Sequence, residues 1–248
     1  MTYKAKAPTQ RPDQVGFRPK RFWKETRLSD AANGIAILLD GRPVKTPKGH
    51  ALVLPTRVLA QQVEAEWAAV GEYLDYEAMP LTRLAFASVD RMGETQDAMI
   101  AEVLRYCETD LVCYPSAYPE ALKAREAAVW EPILKWAEAV MGLRFVQNLT
   151  LTHVPQPPQT LQTIQALVMA ATPYEQAGIM LGIPLFGSVV LTLAVWRGHL
   201  SGEAAFLASR IGEDFQSDIW GRDEEAANRA AGIKAQAQAL EVWFRGLV

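Results

Sequence analysis

The stretch from Gly178 to Trp196 carries no charged residue over about the length of a lipid bilayer, so it must either cross a membrane or enter a protein core. Its composition favours the core. Pro184 interrupts it, Gly178, Gly182 and Gly187 loosen it, and polar helical segments on both sides offer it a body to pack into. We expect a buried helix pair, split at Pro184 into segments 174–182 and 184–198, and no membrane insertion. With half of its 248 residues apolar, the chain can bury a full core without a metal or a disulfide.

The opening of the chain has a different period. Asn33-Gly34, Asp40-Gly41 and Lys48-Gly49 punctuate short strand candidates at Phe22–Arg27, Ile35–Leu39 and Ala51–Leu54. Asn-Gly and Asp-Gly tolerate positive φ at both central turn positions, so the pattern predicts a meander of antiparallel strands. From Thr56 the spacing becomes helical, with Leu59, Val63, Trp67 and Val70 on one stripe. That helix should cover the sheet. After Met79-Pro80 nearly everything reads as helix: 80–92, 95–108, 119–141, 159–171, the buried pair, 202–220 and 222–245. Phe145–Val154 is the extended exception, ahead of the stiff run from Pro155 to Pro158. The expected fold class is α+β: a small N-terminal antiparallel β-sheet domain with a covering helix (1–80, of which 1–17 is a flexible tail), then a larger multihelical C-terminal domain (81–248).

Several chemistries are unsupported. Gly182 to Ser188 has the glycine spacing of a phosphate loop but no lysine, and Gly41 to Thr46 ends in Lys-Thr without the second glycine. His50, His153 and His199 are scattered, and Cys107 and Cys113 lack a second pair, so neither a metal nor a cofactor is expected. No Gly-x-Ser-x-Gly elbow is present. A net charge of −3 and a pI near 5.7 disfavour nucleic acid as a partner. Two cysteines close together in a helical segment point to a reducing compartment. The basic N-terminus lacks the apolar core of a secretory signal, and Pro8, Pro12 and Pro19 would break a presequence helix. A bacterial cytoplasm is the expectation, with the mitochondrial matrix as the alternative.

The most distinctive segment is Ser201 to Trp220. Ala204, Ala208, Ile211, Phe215 and Ile219 form an apolar stripe expected to pack the helix onto its domain, flanked by Arg210, Glu213, Asp214, Gln216 and Asp218. Then come Trp220-Gly221-Arg222-Asp223-Glu224-Glu225. One reading is a solvated acidic face ending at a glycine stop. The other is a docking surface, combining a large aromatic, a chain reversal and carboxylates at the start of the next helix. Arg210, Gln216, Trp220, Gly221, Glu224 and Glu225 are the candidate partner-binding residues.

From about residue 21 onward the sequence resembles the assembly chaperones specific for the α subunit of the F-type ATP synthase catalytic head. The resemblance rests on Arg21-Phe22-Trp23-Lys24, the run Leu39 to Pro47, Glu66-Trp67, Met79 to Thr82, Tyr106 to Asp110, Ser188, and Ser209-Arg210 leading to Phe215-Gln216 and Trp220-Gly221. It implies a chaperone, not an enzyme, that is monomeric when free, binds the unassembled α subunit and promotes assembly of the head. It also implies that a glutamate following the Trp-Gly segment, Glu224 by position, is functionally important. Asp223 stands where the family more often has an apolar residue, which leaves Glu224, Glu225 or both as the contact. Two other readings remain: an enzyme with its site in a cleft between the domains, and a general interaction scaffold.

Overall fold

The computed structural model describes residues 18–90, 96–150, 152–221 and 223–248. The expected tail at 1–17, the end of the expected 80–92 helix and the first residue of the expected 95–108 helix lie outside the described residues. A small antiparallel sheet comes first: β1 (Thr26–Ala31), β2 (Gly34–Leu39), β3 (Arg42–Pro43) and β4 (Val53–Leu54). β2 is central, pairing with β1 on one side and with β3 and β4 on the other. Asp40-Gly41 makes the β2–β3 turn, with φ of 47° and 79° as a two-residue turn of this kind requires.

The first strand begins later than the strand candidate at Phe22–Arg27 predicts. The Asp40 carboxylate accepts hydrogen bonds from the Lys24 and Glu25 amides, holding that segment outside the ladder. The turn before β2 is Ala32-Asn33, because Ala31 pairs with Gly34. Gly34 is glycine for another reason: a Cβ there would stand 2.2 Å from the Leu54 carbonyl oxygen.

Helix α1 (Arg57–Ala69) starts at the Thr56 cap and buries Leu59, Val63 and Trp67 of its stripe against the sheet. Then follow α2 (Pro80–Asp90), α3 (Gln96–Glu108), α4 (Glu120–Met141), α5 (Pro158–Ala170), α6 (Pro173–Phe186), α7 (Val189–Trp196), α8 (Gly202–Ser209), α9 (Ile211–Trp220) and α10 (Glu224–Gly246). The chain is thus α+β as expected, a small sheet followed by a larger helical part. Glu66 of α1 reaches across to accept from the Leu81 and Thr82 amides, so one carboxylate supplies the cap that Pro80 leaves open at the start of α2. Burial raises its pKa, opposed by the hydrogen bonds from Thr82 and Leu81. One continuous cluster of buried side chains runs from Trp23 to Phe244, across the residue 80 boundary.

The uncharged stretch is the buried helix pair α6 and α7, and among the described residues no helix is long and apolar enough to cross a membrane. Its break lies at Gly187-Ser188 instead of Pro184, which sits inside α6. A proline late in a helix removes one amide donor, whereas Gly187 at φ 62° can close the helix and Ser188 can cap the next. Close helix approach explains the other glycines, since a Cβ on Gly178 would meet the Phe244 ring at 2.6 Å and one on Gly182 would meet Thr192 at 2.6 Å.

The expected 202–220 helix is two helices, broken at Arg210, whose backbone leaves helical geometry at φ −115°. Phe145–Val154 is neither helix nor strand among its described residues. Gln156 holds Val146 through both its amide and its carbonyl, and Asn148 donates to the Cys113 carbonyl. The three histidines make ordinary contacts: His50 with Asp90, His153 with Tyr114, and His199 stacked on Trp136. Both cysteines are free and buried, and burial raises their thiol pKa.

Candidate functional site

The α9–α10 corner stands apart from the rest of the molecule because none of the residues of α9 is buried. The expected stripe packs only at its start: Ala208 is buried and Ile211 lies against the core, whereas Phe215 is covered only in part and Ile219 is 57% exposed. Arg125 of α4 supplies much of the attachment, pairing with Asp218 at 2.9 Å and lying 5.0 Å over the Phe215 ring. Helix α9 ends where Gly221, at φ 94°, turns the chain while its amide donates to the Ser217 carbonyl.

Helix α10 then begins on Asp223, whose side chain accepts from the Glu225 and Ala226 amides at 3.3 Å. This explains the aspartate where the resembled family more often has an apolar residue. The helix is anchored at its far end, where Ala237, Leu240, Trp243 and Phe244 are buried and Gly202 of α8 lies against the Ala237 carbonyl. Its first half has no buried residue. Its first two turns are held by local terms, an alanine-rich sequence, the Asp223 cap, two carboxylates in the first turn and the Glu225–Arg229 pair at 2.7 Å, before Ala230 and Ile233 reach the core and Lys234 pairs with Glu203 of α8.

The candidate residues divide accordingly. Trp220 is 82% exposed at the end of α9, with Gln216 one turn earlier on the same exposed face. Gly221, Glu224 and Glu225 complete the corner. Arg210 is set apart: its side chain is 15% exposed at the α8–α9 joint, turned toward Phe206, Glu213 and Asp214. Most carboxylates of the segment are likewise engaged, Glu213 and Asp214 by Arg210, Asp218 by Arg125, Glu225 by Arg229 and Asp223 as a cap. Glu224 has no cation or hydrogen-bond partner among the described residues. It is the carboxylate left available to another molecule, a distinction that spacing in the sequence does not reveal.

Two acidic residues of the sequence motifs prove to be internal. Asp110 is fully buried and joins the chain after α3 to the start of α7, accepting from the Val112 amide at 3.2 Å and the Val190 amide at 3.0 Å. Burial pushes its carboxyl up to about 6, against hydrogen bonds from Ser188 and Val190. Asp90 accepts from the Thr46 hydroxyl at 2.6 Å and the Lys48 amide at 3.1 Å, and faces His50. The Leu39–Pro47 motif is therefore tied to α2 by a buried polar contact. Among the described residues no group of three or more His, Cys, Asp or Glu is placed to hold a metal ion.

An exposed indole and a carboxylate with no partner among the described residues give this corner the chemistry found in the class of proteins that work by contact with another macromolecule. Comparison with known proteins narrows that class. The family described as ATP12 chaperone protein matches residues 20–138. A crystal structure of Atp12 from Paracoccus denitrificans is 36% identical, superposes with a TM-score of 0.86, and is matched over 98% of its length by 92% of this chain. The mitochondrial protein atp12 of Schizosaccharomyces pombe is 23% identical over 236 residues, covering 90% of this chain and 80% of that protein. Mitochondrial ATP12 of Saccharomyces cerevisiae is 26% identical over 160 residues, covering 55% of this chain and 49% of that protein. The chain belongs to the ATP12 chaperone family.

Proposed function

We propose that this chaperone binds the unassembled α subunit of an F-type ATP synthase and releases it into the catalytic head. The observation that carries the reading is the α9–α10 corner, where Trp220 stands exposed at the end of α9 and Glu224 opens α10 with no partner among the described residues. Large exposed aromatics with a partly polar rim are the anchors of protein interfaces. An α subunit outside its ring exposes surface evolved for burial against its neighbours, and covering such surface prevents aggregation. Glu224 would orient the complex and speed its formation, with Trp220 supplying buried area. Gln216 and Gly221 frame the same contact, and Arg210 keeps α8 and α9 at the angle that presents it.

The chaperone acts as a monomer, without ATP hydrolysis and without a cofactor, and yields its client when the neighbouring subunit competes for the covered surface. A boundary near residue 80 divides it into a sheet-bearing domain and a helical domain. Its place is the bacterial cytoplasm, or the mitochondrial matrix in an organellar setting.

The test is suppression of aggregation of isolated α subunit, followed by light scattering, beside the same assay on isolated β subunit. Protection of α with little effect on β is expected, because the two share a fold and selectivity must come from surface detail. Equal protection of both would replace this reading with a generic holdase, and ATP turnover persisting through purification would replace it with an enzyme.

A further inference from the structure

A second surface lies away from the α9–α10 corner. A groove of about 920 Å³ opens between α2, α3 and α6, with the Pro47–Lys48 loop at one end and Gln236 of α10 at its edge. Its walls are apolar: Leu84 and Phe86 of α2, Met99 of α3, and Met180 and Leu181 of α6. Methionine walls adapt to different side chains, a property common in surfaces that accept more than one apolar shape. The charge on the groove is uneven. Asp90 is turned inward, and its carboxylate is held by the Thr46 hydroxyl, the Lys48 amide and His50, not presented to the groove. Arg83, by contrast, is exposed on the groove wall, and its guanidinium has no carboxylate, carbonyl or aromatic partner among the described residues.

An apolar trough with Lys48 at one end and, on its wall, a guanidinium that has no partner among the described residues is complementary to an apolar segment that carries a carboxylate. Arginine is the side chain best suited to hold that group, because its planar donors meet both carboxylate oxygens at once. We propose that this groove docks an apolar, carboxylate-bearing segment of the client polypeptide, with Arg83 as the residue that fixes its register. The inference rests on the proposed α-subunit client and adds a second point of contact to the one at the α9–α10 corner. Two separate contacts on one client raise the effective concentration of each, so each can be weak enough to release in turn.

Photocrosslinking on the full chain tests this. Benzoylphenylalanine replaces Ala98, an exposed groove residue, in one protein and Gln216, on the α9 face, in another; each is irradiated with isolated α subunit. Capture of the α subunit from position 98 is expected, with the crosslinked peptide apolar and containing Asp or Glu. Arg83→Glu should lower that yield about tenfold, and Arg83→Lys, which keeps the charge but loses the paired planar donors, should lower it less. Both should melt like wild type, since the Arg83 side chain holds nothing among the described residues. If position 216 captures the α subunit while position 98 captures nothing, its own chain or a second copy, the groove proposal is overturned and the proposed function stands. An Arg83→Glu yield equal to wild type overturns it as well. If neither position captures the α subunit and aggregation is not suppressed, the client assignment is wrong and this proposal falls with it.

Discussion

Replacing Glu224 with lysine separates the folding of the α9–α10 corner from its use. Glu224 is the first residue of α10, exposed, with no ion pair or hydrogen bond to lose among the described residues. The direct cost to the fold is therefore the unfavourable placement of a cation near a helix N-terminus, a few tenths of a kcal/mol to about 1 kcal/mol. The Asp223 cap is untouched, and the buried half of the helix from Ala237 to Phe244 lies more than three turns away. For a chain of this size such a loss moves the melting temperature by roughly 2–4 °C at most. At an interface the same reversal places a cation where a carboxylate was matched, a change of several kcal/mol and so a loss of affinity of at least about a hundredfold. Thermal melting by circular dichroism and titration against isolated α subunit read the two levels separately. A variant that unfolds makes Glu224 a structural residue, and one that folds and binds as wild type refutes the assignment of the corner.

Three further outcomes follow from the interior. Gly202→Ala would set a Cβ 1.9 Å from the Ala237 carbonyl oxygen and force α8 from α10, costing about 3 kcal/mol or more and lowering the melting temperature by roughly 10 °C; an unchanged melt would show that this contact is not close in solution. Thr46→Val removes the hydroxyl that donates to Asp90 at 2.6 Å and should cost about 1–3 kcal/mol in urea unfolding, whereas a neutral result would mean the Leu39–Pro47 motif is not held by this contact. Asp110 takes up a proton in the folded state near pH 6, while in the unfolded chain it does so only near 4. Between these values the folded state binds more protons, so this residue raises stability as pH falls and lowers it as pH rises. The difference in urea midpoint between wild type and Asp110→Asn should therefore shift in favour of wild type on going from pH 7 to pH 4.5, and a flat difference would contradict the burial argument.

Local chemistry determined much of this protein from sequence alone. Asp40-Gly41 had to turn, because it tolerates the positive φ that strand twist demands, and the Leu59–Val63–Trp67 spacing had to put one helix face against the sheet. The uncharged Gly178–Trp196 stretch had to be buried, and the motifs from Arg21 to Gly221 sufficed to place the chain among ATP synthase assembly chaperones. What depended on distant parts of the chain was not legible. Whether Pro184 or Gly187 ends α6, and whether 202–220 is one helix or two, depends on which carbonyls and amides the surrounding helices leave to be satisfied. The stripe of α9 reads as core by period, yet no element covers Ile219, and period reports a face without reporting its neighbour. In the same way, six acidic residues between Glu213 and Glu225 look alike in sequence, and only the positions of Arg210, Arg125, Arg229 and the α10 amides leave Glu224 as the one without a partner among the described residues. Pairing depends on approach in three dimensions, which residue order constrains only within a helical turn.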